Sequence, residues 1–235
     1  MKKAIIYILA VIGALGAVAA LIFTGAQAVI FDESRFHAAY EKYDRYEYIG
    51  IEKEDLHRVT HELLEYLKGN RDDIVMYADI NGHEEMVFEE REQLHMVDVL
   101  KLFEAGFLIR NFGALAAILI FILIISVYKK QGGKIIARGY LIGFSIFFVL
   151  LLALGIAMMV DFSTVFTKFH LLLFDNDLWL LDLDEDIMIQ MFPEEFFNSL
   201  GIWIGIFALA FISIPAVISA IYLKAIKKDK KQNVI

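Results

Sequence analysis

The sequence predicts a membrane protein with four transmembrane α-helices and a small extracellular α+β domain. Three observations lead there. Hydrophobic side chains make up 59% of the 235 residues, above the usual apolar share of a soluble domain. They gather in four runs without Asp, Glu, Lys or Arg: Ala4 to Phe31 (28 residues), Asn111 to Tyr128 (18), Gly139 to Val160 (22) and Phe196 to Leu223 (28). The segments between these runs alternate between basic and acidic.

Each run suffices as a span, because a bilayer core about 30 Å thick takes roughly 20 helical residues. The first also has features of a signal peptide, with a positive Met1-Lys2-Lys3 start and a small-residue triplet at Ala26-Gln27-Ala28. Its length, far beyond an apolar signal region of about 7–15 residues, favours an uncleaved anchor. The N-terminus, residues 129–138 and the tail hold 11 of the 22 basic residues and a single acid, Asp229. That asymmetry makes both termini cytoplasmic. The predicted order is span 4–31, outer domain 32–106 leading helically into span 107–128, inner loop 129–138, span 139–160, outer interfacial segment 161–195, span 196–223 and basic tail 224–235. Residues 32–110 and 161–195 carry a net charge of −18, against +10 on the inner side.

Composition also excludes. With no cysteine, the chain has no disulfide, cysteine-ligated zinc, iron–sulfur cluster or thiol nucleophile. So acidic an outer face argues against nucleic acid as a partner. Gly-rich phosphate loops, Gly-Xaa-Ser-Xaa-Gly elbows and dinucleotide fingerprints are missing from the sequence.

In the first outer segment, Leu56, Val59, Leu63 and Leu67 share one face of a helix from about Lys53 to Lys68, stopped by Gly69 and Asn70. Asn81-Gly82 tolerates positive φ, and between Ile74–Ile80 and Glu85–Phe88 it predicts a β-hairpin turn. Helix resumes near Glu89 and runs on into the second span. The domain is too small for a large core of its own. The second outer segment is rich in aromatics (Phe162, Phe166, Phe169, Phe174, Trp179, Phe192), which suits the membrane surface. Pro193, Glu194 and Glu195 fit the first turn of the last helix.

All six histidines fall in the outer segments, and histidine is the natural proton carrier of a chain without cysteine. His57 and His61 have metal-ligand spacing on a helix, but Arg58 stands where a zinc protease needs glutamate, and both lie on the polar face as solvated residues. His37 and His83 lack informative neighbours. Glu92, His95 and Asp98, spaced by three, share a helix face on which a carboxylate can orient the imidazole. His170 is surrounded by large apolar residues. By spacing alone, each of these last two reads equally as an interface anchor. Asp182-Leu183-Asp184-Glu185-Asp186 opens like a calcium loop, yet position six is Ile187 and position twelve Pro193. A looser cation site and a solvated loop are the readings left for these acids, and no metal ligand is assigned.

Two stretches together resemble a known family. Phe88, Arg91-Glu92, His95-Met96 and Asp98-Val99 before the second span, with Phe169-His170, Phe174, Asn176-Asp177, Trp179-Leu180-Leu181-Asp182 and Met191-Phe192-Pro193 before the fourth, resemble the lipoprotein intramolecular transacylases of Gram-positive bacteria. The four-span layout agrees with that family along essentially the whole chain. The resemblance implies a cell-membrane acyltransferase acting on diacylglyceryl-modified lipoproteins within membrane lipid. It moves an acyl chain (the sn-2 ester) to the α-amino group of the N-terminal cysteine, giving the lyso form. It also implies that His95 and His170 are the catalytic pair, on the extracellular side. Ester becomes amide, so no cofactor is expected.

On this reading His95, assisted by Glu92 or Asp98, deprotonates the attacking amine, and His170 stabilises the oxyanion or protonates the leaving oxygen; the two roles are exchangeable. Asn176 and Asp177 are supporting or positioning residues, Asn176 as an amide donor near the carbonyl and Trp179 as an interfacial wall. An acyl-histidine intermediate is a second route. The alternative class is a non-enzymatic membrane assembly factor or sensor binding a partner through its outer domain. A lipid-ester hydrolase would use the same histidines, and a transporter would place charges within its spans.

Overall fold

In lipid, every backbone N–H and C=O must be satisfied within its own segment, which makes apolar runs helical. The computed structural model describes residues 2–232, with side chains described for 4–228. Met1 and residues 233–235, the extremes of the predicted basic N-terminus and tail, lie outside the described residues. Helix α1 (Lys2–Ile30) is followed by three shorter helices, α2 (Glu33–Lys42), α3 (Arg45–Ile49) and α4 (Lys53–Leu67), and by a hairpin, β1 (Tyr77–Ile80) and β2 (His83–Met86). Then come α5 (Glu90–Tyr128), α6 (Gly132–Val160), α7 (Phe162–Leu173), α8 (Ile187–Met191) and α9 (Glu194–Gln232).

Three helical runs among the described residues are long and apolar enough to cross a membrane: Ala4–Ile30, Glu90–Val160 and Glu194–Lys228. A 3-10 turn over Lys129–Gln131, with Lys129 at φ 47°, divides the middle one into α5 and α6. The Ala26-Gln27-Ala28 triplet lies inside α1.

The chain forms two units. The first comprises, among the described residues, 2–28, 106–156 and 203–232. Here α1 meets the other three helices through small residues. A Cβ on Gly16 would fall 2.8 Å from the Gly113 carbonyl oxygen, one on Gly139 would fall 2.7 Å from that of Ala10, and Gly25 faces the Phe207–Ala208 backbone at 3.1 Å. Apolar side chains gain little by leaving lipid, so such close backbone approach is what holds helices together there. The Tyr140 hydroxyl donates to the Ile212 carbonyl at 3.0 Å, tying α6 to α9.

The second unit comprises Val29–Ala105 and Ala157–Ile202. The predicted helix face is buried in it: Leu56, Val59, Leu63 and Leu67 on α4, which ends at Gly69 with φ 78°. The hairpin turns in two residues, Asn81 (φ 54°) and Gly82 (φ 86°), so that Ile80 pairs with His83 and Tyr77 with Met86. Both φ values are positive, as the tight turn matching strand twist requires. Sequence periodicity did not reveal α2 or α3, yet α2 contributes Phe36 and Tyr40 to the core. The Tyr40 hydroxyl meets Thr60 Oγ1 at 2.7 Å, and the Thr60 hydroxyl donates to the Leu56 carbonyl at 2.8 Å. The returning chain adds Met188, Met191 and Phe192 from the second outer segment and Phe196 from the start of α9, with Phe192 edge-on to Phe36. The small domain completes its core with this segment.

Two features of the unit bear on the site. α7 is apolar on balance yet leaves Leu171 65% and Leu172 82% exposed. The Pro193 carbonyl accepts the Phe196 N–H at 2.9 Å, which starts α9.

Candidate active site

The first turns of α5, through Ala105, belong to the second unit and precede the charge-free stretch that begins at Asn111. His95 lies on the second of these turns and His170 on the last turn of α7. The fold brings the two rings together, with centroids 6.2 Å apart, although 75 residues separate them. Both side chains are buried, at 7% and 8% exposure.

His170 has a defined tautomer. Its Nδ1 is 2.7 Å from the Phe166 carbonyl one helical turn back, and a carbonyl only accepts, so Nδ1 carries the hydrogen and Nε2 of the neutral ring keeps its lone pair. Aromatic rings surround it. Phe166 stands edge-on at 4.4 Å, Trp179 is stacked at 4.8 Å, Phe169 lies at 5.5 Å and Phe174 at 5.7 Å. Burial pushes the pKa of His170 down, while the bond to the Phe166 carbonyl pulls it up.

His95 differs. Its Nδ1 is buried and has no hydrogen-bond partner, an unusual state for a polar atom inside a protein. Burial, with the neighbouring His170 ring second, lowers its pKa to about 4, opposed by the charge of Asp98. Both imidazoles are thus neutral near pH 7.

Neither Glu92 nor Asp98 hydrogen-bonds His95, in contrast to the orientation expected from their spacing. Steps of three residues rotate successive side chains by about −60° around a helix, and each carboxylate finds a partner beyond the imidazole. Glu92, fully buried, accepts the Glu89 N–H at 2.6 Å and the Met188 N–H at 2.7 Å. Asp98 takes the Lys101 ammonium at 2.9 Å and the Asn176 side-chain amide at 2.8 Å, which hold its carboxyl below the usual range.

The segment after α7 is held to α5 by these same residues. Asn176 donates to Asp98, accepts the Leu178 N–H at 3.1 Å through its side-chain oxygen, and receives the Trp179 indole N–H at 2.9 Å on its carbonyl. Asp177 contributes its carbonyl, which takes the Arg91 guanidinium at 2.7 Å. With its amide already engaged by Asp98, Asn176 secures the turn that presses Trp179 onto His170.

The acidic loop turns inward on itself. Asp186 accepts the Asp182 N–H at 2.6 Å, and Asp182 accepts the Asp184 N–H at 2.9 Å. A cavity of about 600 Å³ opens between Glu89, Glu90 and Arg91 on one side and Leu180, Leu181, Asp182, Glu185 and Asp186 on the other. The remaining histidines lie elsewhere: His37 stacks on His57 with centroids 3.5 Å apart, His57 meets the Tyr46 hydroxyl at 2.9 Å, and exposed His61 pairs with Glu33. Of His57 and His61, both expected to be solvated, only His61 is exposed, the shielding of His57 coming from α2, which periodicity did not reveal; His83 is exposed on β2.

A family model described as lipoprotein intramolecular transacylase Lit matches residues 11–197. The chain belongs to that family. It is a membrane acyltransferase, a lipoprotein intramolecular transacylase, and the non-enzymatic alternative falls away. The fold is also that of solved structures of the membrane integral lipoprotein intramolecular transacylase Lit from Bacillus cereus. One is 19% identical, with 98% of this chain and 99% of that chain covered at a TM-score of 0.73. Two further structures, each with one histidine substituted, by arginine or by alanine, are 17% identical at TM-scores of 0.74 and 0.75. They cover 97% of this chain and 96% and 97% of theirs. No match was found among curated proteins.

Sequence reasoning missed the backbone groups of this candidate site, the Phe166 carbonyl and the Met188 N–H. Backbone groups have no residue signature; a helical i−4 carbonyl was the available signal for the first.

Proposed function

We propose that this transacylase transfers the sn-2 acyl chain from the diacylglyceryl group of a lipoprotein to the α-amino group of its N-terminal cysteine, forming the lyso lipoprotein, with His95 and His170 as the catalytic pair. The observation that carries this is the pairing of two neutral, buried imidazoles, one with an acceptor nitrogen free and the other with a buried nitrogen lacking a partner. The chain crosses the membrane four times, with α1, the apolar part of α5, α6 and α9 as spans and both termini in the cytoplasm. The pair then belongs to the extracellular side. Exposed Leu171 and Leu172 on α7, with Leu180 beyond it, rest against lipid, so a substrate already anchored by its acyl chains reaches the site by lateral diffusion.

The environments favour the exchanged assignment of the two roles. His170, oriented by the Phe166 carbonyl, is the base: the amine, with a solution pKa of about 7.7–8.0, attacks in its neutral form, its ammonium proton having gone to solvent, and Nε2 takes the N–H proton it sheds as it attacks. The N–C bond forms as the ester carbonyl becomes tetrahedral, and the neutral His95 ring donates a hydrogen bond from its Nδ1 to the oxyanion. The ester C–O bond then breaks, and the His170 imidazolium returns the proton to the departing glyceryl oxygen. Amine and ester belong to one molecule, which supplies the proximity. Ester-to-amide conversion is downhill, so no energy-supplying cofactor enters the scheme.

The test is mass spectrometry of a lipoprotein N-terminal peptide from cells lacking the activity, with and without this protein. Migration of one acyl chain from glycerol to the amine at unchanged total mass is expected, and is lost with His95→Gln or His170→Gln. Loss of one acyl mass would mean hydrolysis, and an unchanged diacylglyceryl peptide would overturn the reaction.

A further inference from the structure

We propose that Glu92 is a positioning residue for the transfer, its carboxylate bridging the first turn of α5 and the first turn of α8 so that the turn carrying His95 keeps a fixed register against the chain returning from His170. The proposal rests on the reading that His95 and His170 carry the reaction. One oxygen makes a purely local contact, closing the start of α5 on the Glu89 N–H at 2.6 Å, as a glutamate at the third position of a helix often does. The other reaches the Met188 N–H at 2.7 Å, 96 positions along the chain. That N–H belongs to the first turn of α8, where no carbonyl of the helix itself is available to it. Two exposed links join neighbouring stretches of the same chain segments, Arg91 to the Asp177 carbonyl and Asp98 to Asn176. Glu92 is the buried one.

The charge is costly where it lies. Glu89 on its own helix and Asp186 on the facing loop are both acidic neighbours, and Glu90, Arg91, Asp182 and Glu185 line the adjacent cavity. Burial, followed by the charges of Asp186 and Glu89, raises Glu92 to about 7 against the pull of its two backbone bonds. A helix start needs no such residue, since a neutral amide there accepts the same N–H. The second acceptor oxygen distinguishes the carboxylate. Protonation converts one oxygen into a hydroxyl facing an N–H and weakens one of the two links, so the bridge is complete in the ionised form. His95, lowered to about 4 by burial, stays neutral through this interval, and burial also pushes His170 below the ordinary range, an effect common to wild type and a Glu92 variant.

The test compares full-length wild-type protein with Glu92→Gln in lipid nanodiscs, using a synthetic diacylglyceryl lipopeptide, from about pH 5.5 to 8.5 around the amine and Glu92 pKa values. The variant should be slower by roughly tenfold or more at the alkaline end, the cost of about one hydrogen bond to a charged group. The rate ratio should shrink towards one at the acid end, because protonated wild type resembles the amide; the substrate amine titrates identically in both. Hydrogen exchange at the Met188 amide should be faster in the variant at alkaline pH. A ratio of one at alkaline pH, or a ratio that does not change with pH, would overturn the proposal, the second marking a plain structural loss. If Glu92→Gln does not insert, wild-type Met188 protection still decides: it must weaken as pH falls through 7. Should His95→Gln and His170→Gln retain full activity, the catalytic reading fails by itself, while Met188 exchange reports on the bridge independently.

Discussion

Trp179 lies stacked on His170, with ring centroids 4.8 Å apart and planes 25° from parallel, and its indole N–H is fixed to the Asn176 carbonyl at 2.9 Å. The indole therefore covers one face of the imidazole. An aromatic face against an imidazole stabilises the cation that forms when the ring accepts a proton.

Trp179→Leu should accordingly slow transfer by roughly threefold to thirtyfold, the range expected for a partly desolvated cation–π contact. Trp179→Phe should lose less, because a stacked face remains. Initial rates on a diacylglyceryl lipopeptide, together with the acid limb of the pH profile, check this. Equal rates for the leucine variant and wild type would remove Trp179 from the proton-transfer step.

The two site histidines make stability depend on pH in a set direction. Their folded pKa values are lowered, that of His95 to about 4, while unfolded imidazoles titrate near 6.5, at about the solution value. Below that pH the unfolded chain binds more protons than the folded one, so these residues make stability fall as pH drops from about 6.5 towards 4. Imidazole NMR shifts should show the His95 ring neutral at pH 6. Thermal unfolding in detergent should show a smaller loss between pH 6.5 and 5 for His95→Gln than for wild type.

Asp98 and Asn176 form a link whose polarity can be reversed. Asn176→Asp sets two carboxylates against each other where a 2.8 Å hydrogen bond now lies, loosening the turn that carries Trp179. The rate should fall roughly threefold or more, within the span of measured pair couplings. Adding Asp98→Asn restores a donor and an acceptor, and the double variant should recover most of the activity. The exposed Lys101 pair that it gives up contributes little. Failure of the double variant to exceed the single one would show that the pair does not act through this bond.

The buried chain from Tyr40 through Thr60 to the Leu56 carbonyl predicts unequal costs for its two members. Tyr40→Phe leaves the Thr60 hydroxyl still bonded to Leu56 and should cost about 1 kcal/mol. Thr60→Val strands the tyrosine hydroxyl in the core and should cost about 1–3 kcal/mol. Burial already raises Tyr40 well above the ordinary phenol range. Denaturation of the detergent-solubilised protein, followed by tyrosine fluorescence, ranks the two.

How far the sequence could be read varied with the range of the interaction involved. α4 was legible because Leu56, Val59, Leu63 and Leu67 repeat at helical spacing and Gly69 ends the run. The hairpin was legible because Asn81-Gly82 needs no distant partner to turn. The short, mostly polar α2 and α3 were not, since the few apolar residues that bury them, Phe36, Tyr40 and Ile49, give too little pattern without the core they fill. Family motifs singled out His95 and His170, whereas spacing alone left each as readily an anchor. Helical spacing also misdirected the partners of Glu92 and Asp98, because it counts only neighbours on the same helix.

The sequence by itself determined that the chain is a helical membrane protein with alternately acidic and basic intervening segments, since apolar runs in lipid satisfy their backbone internally and local turns follow local chemistry. Tertiary structure alone decided which polar groups meet. Glu92 bonds the Met188 N–H, Asp98 the Asn176 amide, and Trp179 covers His170. The physical reason is competition: a polar group takes the partner that the fold brings within reach, under the greatest pressure where it is buried, as Glu92 is, and for Glu92 and Asp98 that partner lies 96 and 78 residues away.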